Sequence, residues 1–246
     1  VTGRQGRTRR DDTVLPRGAR ELPLEPPRPG GGLAAGDRVL LIQMQGARIH
    51  SDNDADYGDG EAGLPAAGWA ELNAGQFEWL RVESVGEQRI RVRGAGPDGG
   101  LVHRYENRAP ERAGDPGRAR WQLVRAPQYA EASLAGDLRA LPWNGRTGGV
   151  LALDVRGALT LNGHVLNASG TGFRGGGPLT LGGALGETGD FRYRAPTTAD
   201  LQSRFGHHAP KGEGLAGTPR YVFGDGAVRD TRPRADQRNY SDGYPG

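Results

Sequence analysis

The chain has 246 residues and a formal net charge of only +3, from 32 basic and 29 acidic residues. Glycine accounts for 43 residues and proline for 17, which excludes an all-helical protein because both residues destabilise helix interiors. No apolar run approaches the roughly 18 residues of a membrane span, and the lack of cysteine excludes disulfides and thiolate metal sites. Basic and acidic residues interleave along the chain, so we expect no nucleic-acid partner.

The N-terminal segment, residues 1–35, is rich in Arg, Pro and Gly. This composition favours extended or polyproline-like chain with little core. We predict an extended arm or tail, or a segment that wraps along the folded body. Since the chain starts at Val1 without an apolar signal segment, we expect a cut or processed product whose parent continues past Gly246.

Residues 36–130 are predicted to form a compact β-domain. Short apolar or alternating runs predict its strands, at residues 39–45, 77–85, 89–93 and 121–125. Residues 86–88 read as a hairpin turn between two of these runs. We expect Trp79 and Trp121 to be core residues on their strands.

Residues 131–246 follow a different pattern. Short apolar segments of four to seven residues are separated by Gly or Asn-Gly, and the spacing is too tight for helical crossovers. This pattern suits stacked short strands of a solenoid, with an ordinary β-sandwich as the alternative. The predicted fold class is therefore all-β: a β-rich cap domain followed by a β-helix or solenoid-like region with long Gly-rich loops.

One acidic loop is a candidate metal site. Calcium takes six to eight oxygen ligands, and closely spaced acidic residues supply them. The candidate ligands are Asp52, Asp54, Asp56, Asp59 and Glu61. An EF-hand is excluded because Tyr57 stands where the sharp-turn Gly belongs and Gly63 where the bidentate Glu belongs. A non-EF calcium loop and a solvated acidic loop both stay open, and no other cofactor is expected.

Catalytic signals are weak. The chain has no Cys and no nucleophile elbow, and its five His residues lack metal-ligand spacing. A β-helix polysaccharide enzyme needs clustered acids or arginines in one groove, for which Asp154, Arg156 and Arg174 are the candidates. Trp143 lies in a predicted loop, where it caps a solenoid end or stacks on a sugar. We predict that the protein is not an enzyme.

Six segments of the chain carry a specific order of motifs. They are residues 36–47 (GDRVLLIQMQGA), 123–129 (LVRAPQY), 142–149 (PWNGRTGG), 172–176 (GFRGG), 211–221 (KGEGLAGTPRY) and 243–246 (GYPG). Together they resemble the opening of large glycine-rich bacterial surface proteins, often labelled adventurous gliding motility proteins of the C type. Ala126 departs from this resemblance, since Val is usual at that position.

The resemblance implies export and a place at the bacterial cell surface or in an extracellular assembly, and it implies no catalytic residues. We therefore expect a secreted, non-enzymatic structural module of a surface protein or fibre. It would assemble with copies of itself through strand edges or the N-terminal arm. The alternatives are a calcium- or glycan-dependent adhesin and, more weakly, a β-helix polysaccharide-active enzyme.

Overall fold

The computed structural model describes part of the chain. The described residues are 12–24, 32–49, 69–108, 119–175, 213–215, 217, 221–224 and 227–230. The chain divides into two compact units. The first consists of Val1–Met44, Asn73–Arg108 and Ala119–Gly172, and the second of Gln45–Leu72, Ala109–Arg118 and Phe173–Gly246.

The described residues contain β-strands and one 3-10 turn, Pro97–Gly99, and no α-helix, which confirms the predicted all-β class. In chain order the strands are β1 (Asp12–Leu15), β2 (Glu21–Pro23), β3 (Arg38–Gln45), β4 (Ala47–Ile49), β5 (Trp69–Leu72), β6 (Phe77–Val85), β7 (Arg89–Arg93), β8 (Tyr105–Arg108), β9 (Arg120–Ala126), β10 (Gln128–Tyr129), β11 (Ala132–Ser133), β12 (Leu138–Arg139), β13 (Asp154–Val155), β14 (Leu159–Thr160), β15 (Leu166–Asn167), β16 (Tyr221–Gly224) and β17 (Ala227–Asp230).

The core of the first unit lies on one face of a five-stranded sheet with strand order β2-β7-β6-β3-β9. The alternation in β6 and β7 places every second side chain on this inner face, as the sequence predicts. The predicted hairpin joins these two strands in antiparallel register. The largest buried side chain of the inner face is Trp121 of β9, which confirms its predicted core position.

The N-terminal segment contributes more to this core than we expected. In its described part, β1 pairs with β8 and β2 pairs with β7, both antiparallel. Leu15, Leu22 and Leu24 are buried in the core cluster. Residues 12–24 thus wrap along the folded body, one of the two predicted arrangements, and they add more to the core than expected, because three leucines at close spacing bury enough apolar area to hold the segment on the sheet. The predicted domain boundaries near residues 35 and 130 stay predictions.

Residues 127–171, which we call the stacked region, are built from very short parallel strand pairs. The pairs are β10 with β13, β11 with β14, and β12 with β15. Gln128 pairs with Asp154 and Leu138 with Leu166, so the partners are separated by 26 and 28 residues. One chain segment thus lies on the next in nearly constant register over three successive strands.

The stacked region packs on the outer face of the sheet within the first unit. Ala152 forms an apolar cluster with Leu40 of β3 and with Val124 and Ala126 of β9. The buried side chain of Gln122 donates to the carbonyl of Gly148 at 2.8 Å and accepts from its N–H at 3.0 Å. The stacked region therefore covers the β3–β9 side of the outer face.

The second unit contains two antiparallel strand pairs among its described residues. β4 pairs with β5, with a register irregularity between Arg48 and Ile49, and β16 pairs with β17. Gly214 and Gly217 form an isolated bridge, and the carbonyl of Leu215 accepts a hydrogen bond from the N–H of Gly46 at 2.7 Å. These backbone bonds hold Gly-rich chain that offers few side chains to a core.

Candidate functional site

Polar side chains fix the corners of the stacked region. Asn162 adopts a left-handed conformation, and its side-chain amide donates to Ser133 at 2.6 Å and to the Leu134 carbonyl at 3.0 Å. The Asp137 carboxylate accepts from the N–H of Val165 at 3.2 Å. A Cβ on Gly157 would approach the Ala130 carbonyl to 2.8 Å, so this close backbone approach requires glycine. The Asn162-Gly163 corner, which the sequence predicts, therefore makes a stacking contact.

The outer edges of the stack are open within the described part of the chain. Each of β13, β14 and β15 has one strand partner there, and so has each of β11 and β12. Apolar side chains accompany the β14–β15 edge: Leu161, Val165 and Leu166 are 43%, 47% and 42% exposed. Unpaired strand edges and exposed apolar groups together favour association with another chain.

A pocket that is partly open to solvent lies along the stacked region. It has a volume of about 560 Å³ and is lined mainly by aliphatic side chains, including Ala132, Leu134, Leu138, Leu151 and Leu159. Ala135, Gly136 and Ala152 add little volume where they line it. These small residues leave space between the short strands that the leucines do not fill.

The uncovered part of the sheet's outer face carries arginines and aromatic rings. Arg38, Arg81 and Arg93 are register partners on the adjacent strands β3, β6 and β7, so they form one row. Phe77 and Trp79 lie on the same face of β6 and are 54% and 37% exposed. We call these five residues the arginine–aromatic face. Trp79 is therefore not the core residue that we predicted, because the strand's alternation points its even-numbered residues inward.

Carboxylates neutralise two of the three arginines in this row. Arg93 pairs with Glu83 at 2.9 Å, and Arg38 pairs with Asp154 at 3.3 Å. The Arg38 guanidinium also lies over the Trp79 ring, 5.2 Å from its centroid, a cation–π contact. Among the described residues, no carboxylate lies within ion-pair distance of the exposed Arg81. Within the described ranges, Arg81 is thus the charge of the face that no carboxylate neutralises.

Glu83 forms ion pairs with several arginines of this part of the sheet. Besides Arg93, it pairs with Arg20 at 2.7 Å and with Arg91 at 3.4 Å. Hydrogen bonds from Arg93 and then Arg20 lower the pKa of Glu83 below its ordinary value. The carboxylate therefore stays ionised at neutral pH and balances the arginines around it.

A second carboxylate, Glu78, is buried on the inner side of β6. It accepts hydrogen bonds from the backbone N–H of Val102, at 2.9 and 3.1 Å, and of His103, at 3.2 Å. Burial, followed by the nearby charge of Glu78, raises the pKa of Tyr105. Glu78 is occupied with backbone donors and closed off from solvent, which suits a loop anchor better than an acid or base.

The predicted calcium ligands Asp52, Asp54, Asp56, Asp59 and Glu61 lie outside the described residues. Within the described ranges, no group of three or more His, Asp or Glu side chains is placed to hold a metal ion. The same part of the chain contains no helix long and apolar enough to span a bilayer.

The three candidate enzyme residues, Asp154, Arg156 and Arg174, differ in their exposure and in their ion-pair partners. Asp154 pairs with Arg38, Arg156 is exposed, and Arg174 binds Glu213. Trp143 is 2% exposed, so it cannot present its ring to a sugar, and its backbone N–H donates to the Thr171 carbonyl at 2.8 Å within the stack. Of the two roles predicted for Trp143, sugar stacking is wrong.

Arg174 and Glu213 come from two of the motifs quoted above. The Arg174 side chain donates two hydrogen bonds to the Glu213 carboxylate, both at 2.7 Å, and its backbone N–H donates a third at 2.9 Å. The Glu213 side chain is fully buried. Bidentate pairs of this kind are strong and directional, so they fix the register of the Gly-rich segments that carry them.

No family model and no curated protein matches this chain. Among solved structures, the tailspike protein gp49 from Pseudomonas phage LKA1 is similar over 56% of this chain, with 11% sequence identity and a TM-score of 0.25. The similarity covers 19% of the tailspike's length. At this TM-score the likeness supports no conclusion about fold or function.

Proposed function

We propose that this chain is a non-enzymatic structural module of a bacterial cell-surface protein or extracellular fibre, and that it assembles with further copies through the open edges of the stacked region. The observation that carries the proposal is the set of parallel pairs β10–β13, β11–β14 and β12–β15. Their outer edges have no strand partner in the described chain, and the β14–β15 edge exposes apolar side chains.

A second copy fits these edges because the stack repeats. The two ends of the stacked region present short strands at corresponding positions, so the first segment of one copy continues the parallel register on the last segment of another. Such a head-to-tail contact joins two different surfaces of the module. Successive copies form a closed ring if the rotation between neighbours adds up to a full turn, and an open filament if it does not. Filaments or rings follow from this geometry. In this proposal the stacked region is two successive coils of a short solenoid.

The resemblance to glycine-rich surface proteins supports the same role and an extracellular location. The ion pair between Arg174 and Glu213 links two of the motifs that carry that resemblance. The N-terminal arm has a smaller role in this proposed assembly, because its residues 12–24 already pair with strands of the same chain. Calcium-dependent adhesion and polysaccharide cleavage stay alternatives. Polysaccharide cleavage needs an available carboxylate, and Asp154, the candidate acid, is paired with Arg38.

Light scattering and negative-stain microscopy of the full chain test the assembly. The double variant Leu161→Lys/Val165→Lys puts charge on the β14–β15 edge, where lysine is known to block edge-to-edge pairing. We expect concentration-dependent oligomers or filaments from the wild type and monomers from this variant. Val85→Lys is the matched control, since Val85 is 44% exposed at the end of β6.

The control should assemble like the wild type. A wild type that stays monomeric at every concentration, or a double variant that assembles as well as the control, contradicts the proposal. Circular dichroism of all three proteins establishes that the substitutions at these exposed positions leave the fold intact.

A further inference from the structure

The arginine–aromatic face has the character of a binding surface. Phe77 and Trp79 expose apolar rings on a flat sheet, and charged side chains surround them. Most exposed apolar groups on a protein surface are scattered singly, whereas contiguous patches with a polar rim mark interaction sites. This surface lies on the first unit and does not involve the edges proposed for assembly.

The charges of the face indicate what it would bind. Arg38, Arg81 and Arg93 lie directly opposite one another on three adjacent strands. Like charges in such cross-strand positions are destabilising, and among the described residues only the outer two have carboxylate partners, Asp154 and Glu83. A ligand carboxylate at Arg81 would relieve this repulsion and gain a charge-assisted, bidentate hydrogen bond.

The rings define the rest of the ligand. Arg81 and Trp79 are two residues apart on one face of β6, so the cation lies beside the Trp79 ring, and Phe77, two residues further, continues the row beyond Trp79. A pyranose ring with a carboxylate has matching chemistry, since its C–H face packs on an aromatic ring while its charge lies at the edge. We propose that the arginine–aromatic face binds acidic polysaccharide through its uronic-acid units.

Nucleic acid fits this surface less well. Binding a phosphate backbone depends on neutralising several phosphates with free Lys or Arg side chains. Arg20, Arg91 and Arg93 share Glu83, and Arg89 pairs with Glu21 at 3.3 Å. With Arg38 on Asp154, one arginine of this surface is left without a carboxylate in the described structure, too few to neutralise several phosphates.

Isothermal titration of the full chain tests the proposal with three probes: oligogalacturonate, a neutral cello-oligosaccharide of equal length, and a single-stranded thymidine oligonucleotide. Alginate oligosaccharide serves as a second acidic probe. We expect binding of an acidic oligosaccharide that weakens with added salt, and little binding of the neutral sugar. Arg81→Gln and Phe77→Ala should each weaken it about tenfold or more, the loss expected for one charge-assisted contact or one buried ring.

Arg139→Gln is the matched control, because Arg139 is also exposed but belongs to β12 of the stacked region. It should bind within about twofold of the wild type, well below the tenfold steps that a direct contact produces. Failure of the wild type to bind either acidic probe overturns the proposal. So does equal binding by Arg81→Gln, or tighter binding of the oligonucleotide, which would assign the face to nucleic acid. Assembly-deficient Leu161→Lys/Val165→Lys should bind the sugar normally, so the two proposals fail independently.

Discussion

At the scale of single residues, Glu83 controls the charge of the outer sheet face. Its carboxylate pairs with Arg20, Arg91 and Arg93, three cations that would otherwise repel one another. The pKa of Glu83 lies below its ordinary value of 4.5, first because of Arg93 and then because of Arg20. Since folding lowers this pKa, the ionised group stabilises the folded state above the unfolded pKa. That stabilisation is lost as the pH falls below 4.5 through the folded pKa.

Glu83→Gln should therefore lower the melting temperature at neutral pH and have less effect in acid. The difference between variant and wild type should shrink steadily as the pH falls below 4.5, because the wild-type carboxylate becomes neutral as well. Thermal melts across a pH series measure it. Glu87→Gln, in the exposed β6–β7 turn, is the control and should show no such trend. A difference for Glu83→Gln that stays constant with pH would contradict this account.

At the scale of elements, the short strand β2 does more than its three residues suggest. It adds an edge strand beside β7 and inserts Leu22, which is fully buried. β1 contributes Leu15 in the same way from its pairing with β8. A deletion that removed both strands would expose the core, so any test of the N-terminal segment in assembly must keep residues 12–24.

Leu22→Ala should cost about 2–5 kcal/mol of unfolding free energy, the range for a leucine removed from a close-packed core. Val14→Ala, in the neighbouring strand β1, is the control: Val14 is 51% exposed, and its loss should cost within about 0.5 kcal/mol. Urea unfolding of the two variants measures the contrast. Equal stabilities would mean that β2 does not pack on the sheet in solution.

The sequence predicts the local elements of this sheet better than their arrangement. Alternation in residues 77–85 and 89–93 locates β6, β7 and their turn, because a strand with one buried face alternates apolar and polar side chains with a period of two residues. The same pattern does not say which face is buried, so Trp79 was assigned to the core. The pairing of residues 12–24 joins positions far apart in the chain, for which a single sequence carries no signal.

The candidate surfaces also combine local features that the sequence predicts with spatial arrangements that it does not. Exposed Arg81 and Phe77 are ordinary strand residues in the sequence, and only the register of β3, β6 and β7 brings three arginines into a row. By contrast, the corner at Asn162-Gly163 is visible in the sequence because left-handed backbone favours these residues. The motifs around Arg174 and Glu213 are visible too, but their ion pair is not.

At the scale of the whole first unit, the sheet and the stacked region share buried contacts. The side chain of Gln122 in β9 forms hydrogen bonds with both the carbonyl and the N–H of Gly148. Ala152 packs with Leu40 and Val124. Gly148 has a φ of 118°, and a side chain there would collide with the Pro142 carbonyl, so the contact depends on glycine. Regions that share a core are expected to unfold together.

Hydrogen exchange with mass spectrometry should therefore give β9 and β12 the same opening free energy in the wild type, because neither can lose its packing alone. Gln122→Ala leaves the N–H and carbonyl of Gly148 buried without their partners, which should cost about 1–3 kcal/mol and reduce protection in both strands. Gln128→Ala, at an exposed position of β10, is the control and should leave both unchanged. Much faster exchange in β12 than in β9 of the wild type would show that the stacked region opens independently. The edges proposed for assembly would then belong to a separately folding element.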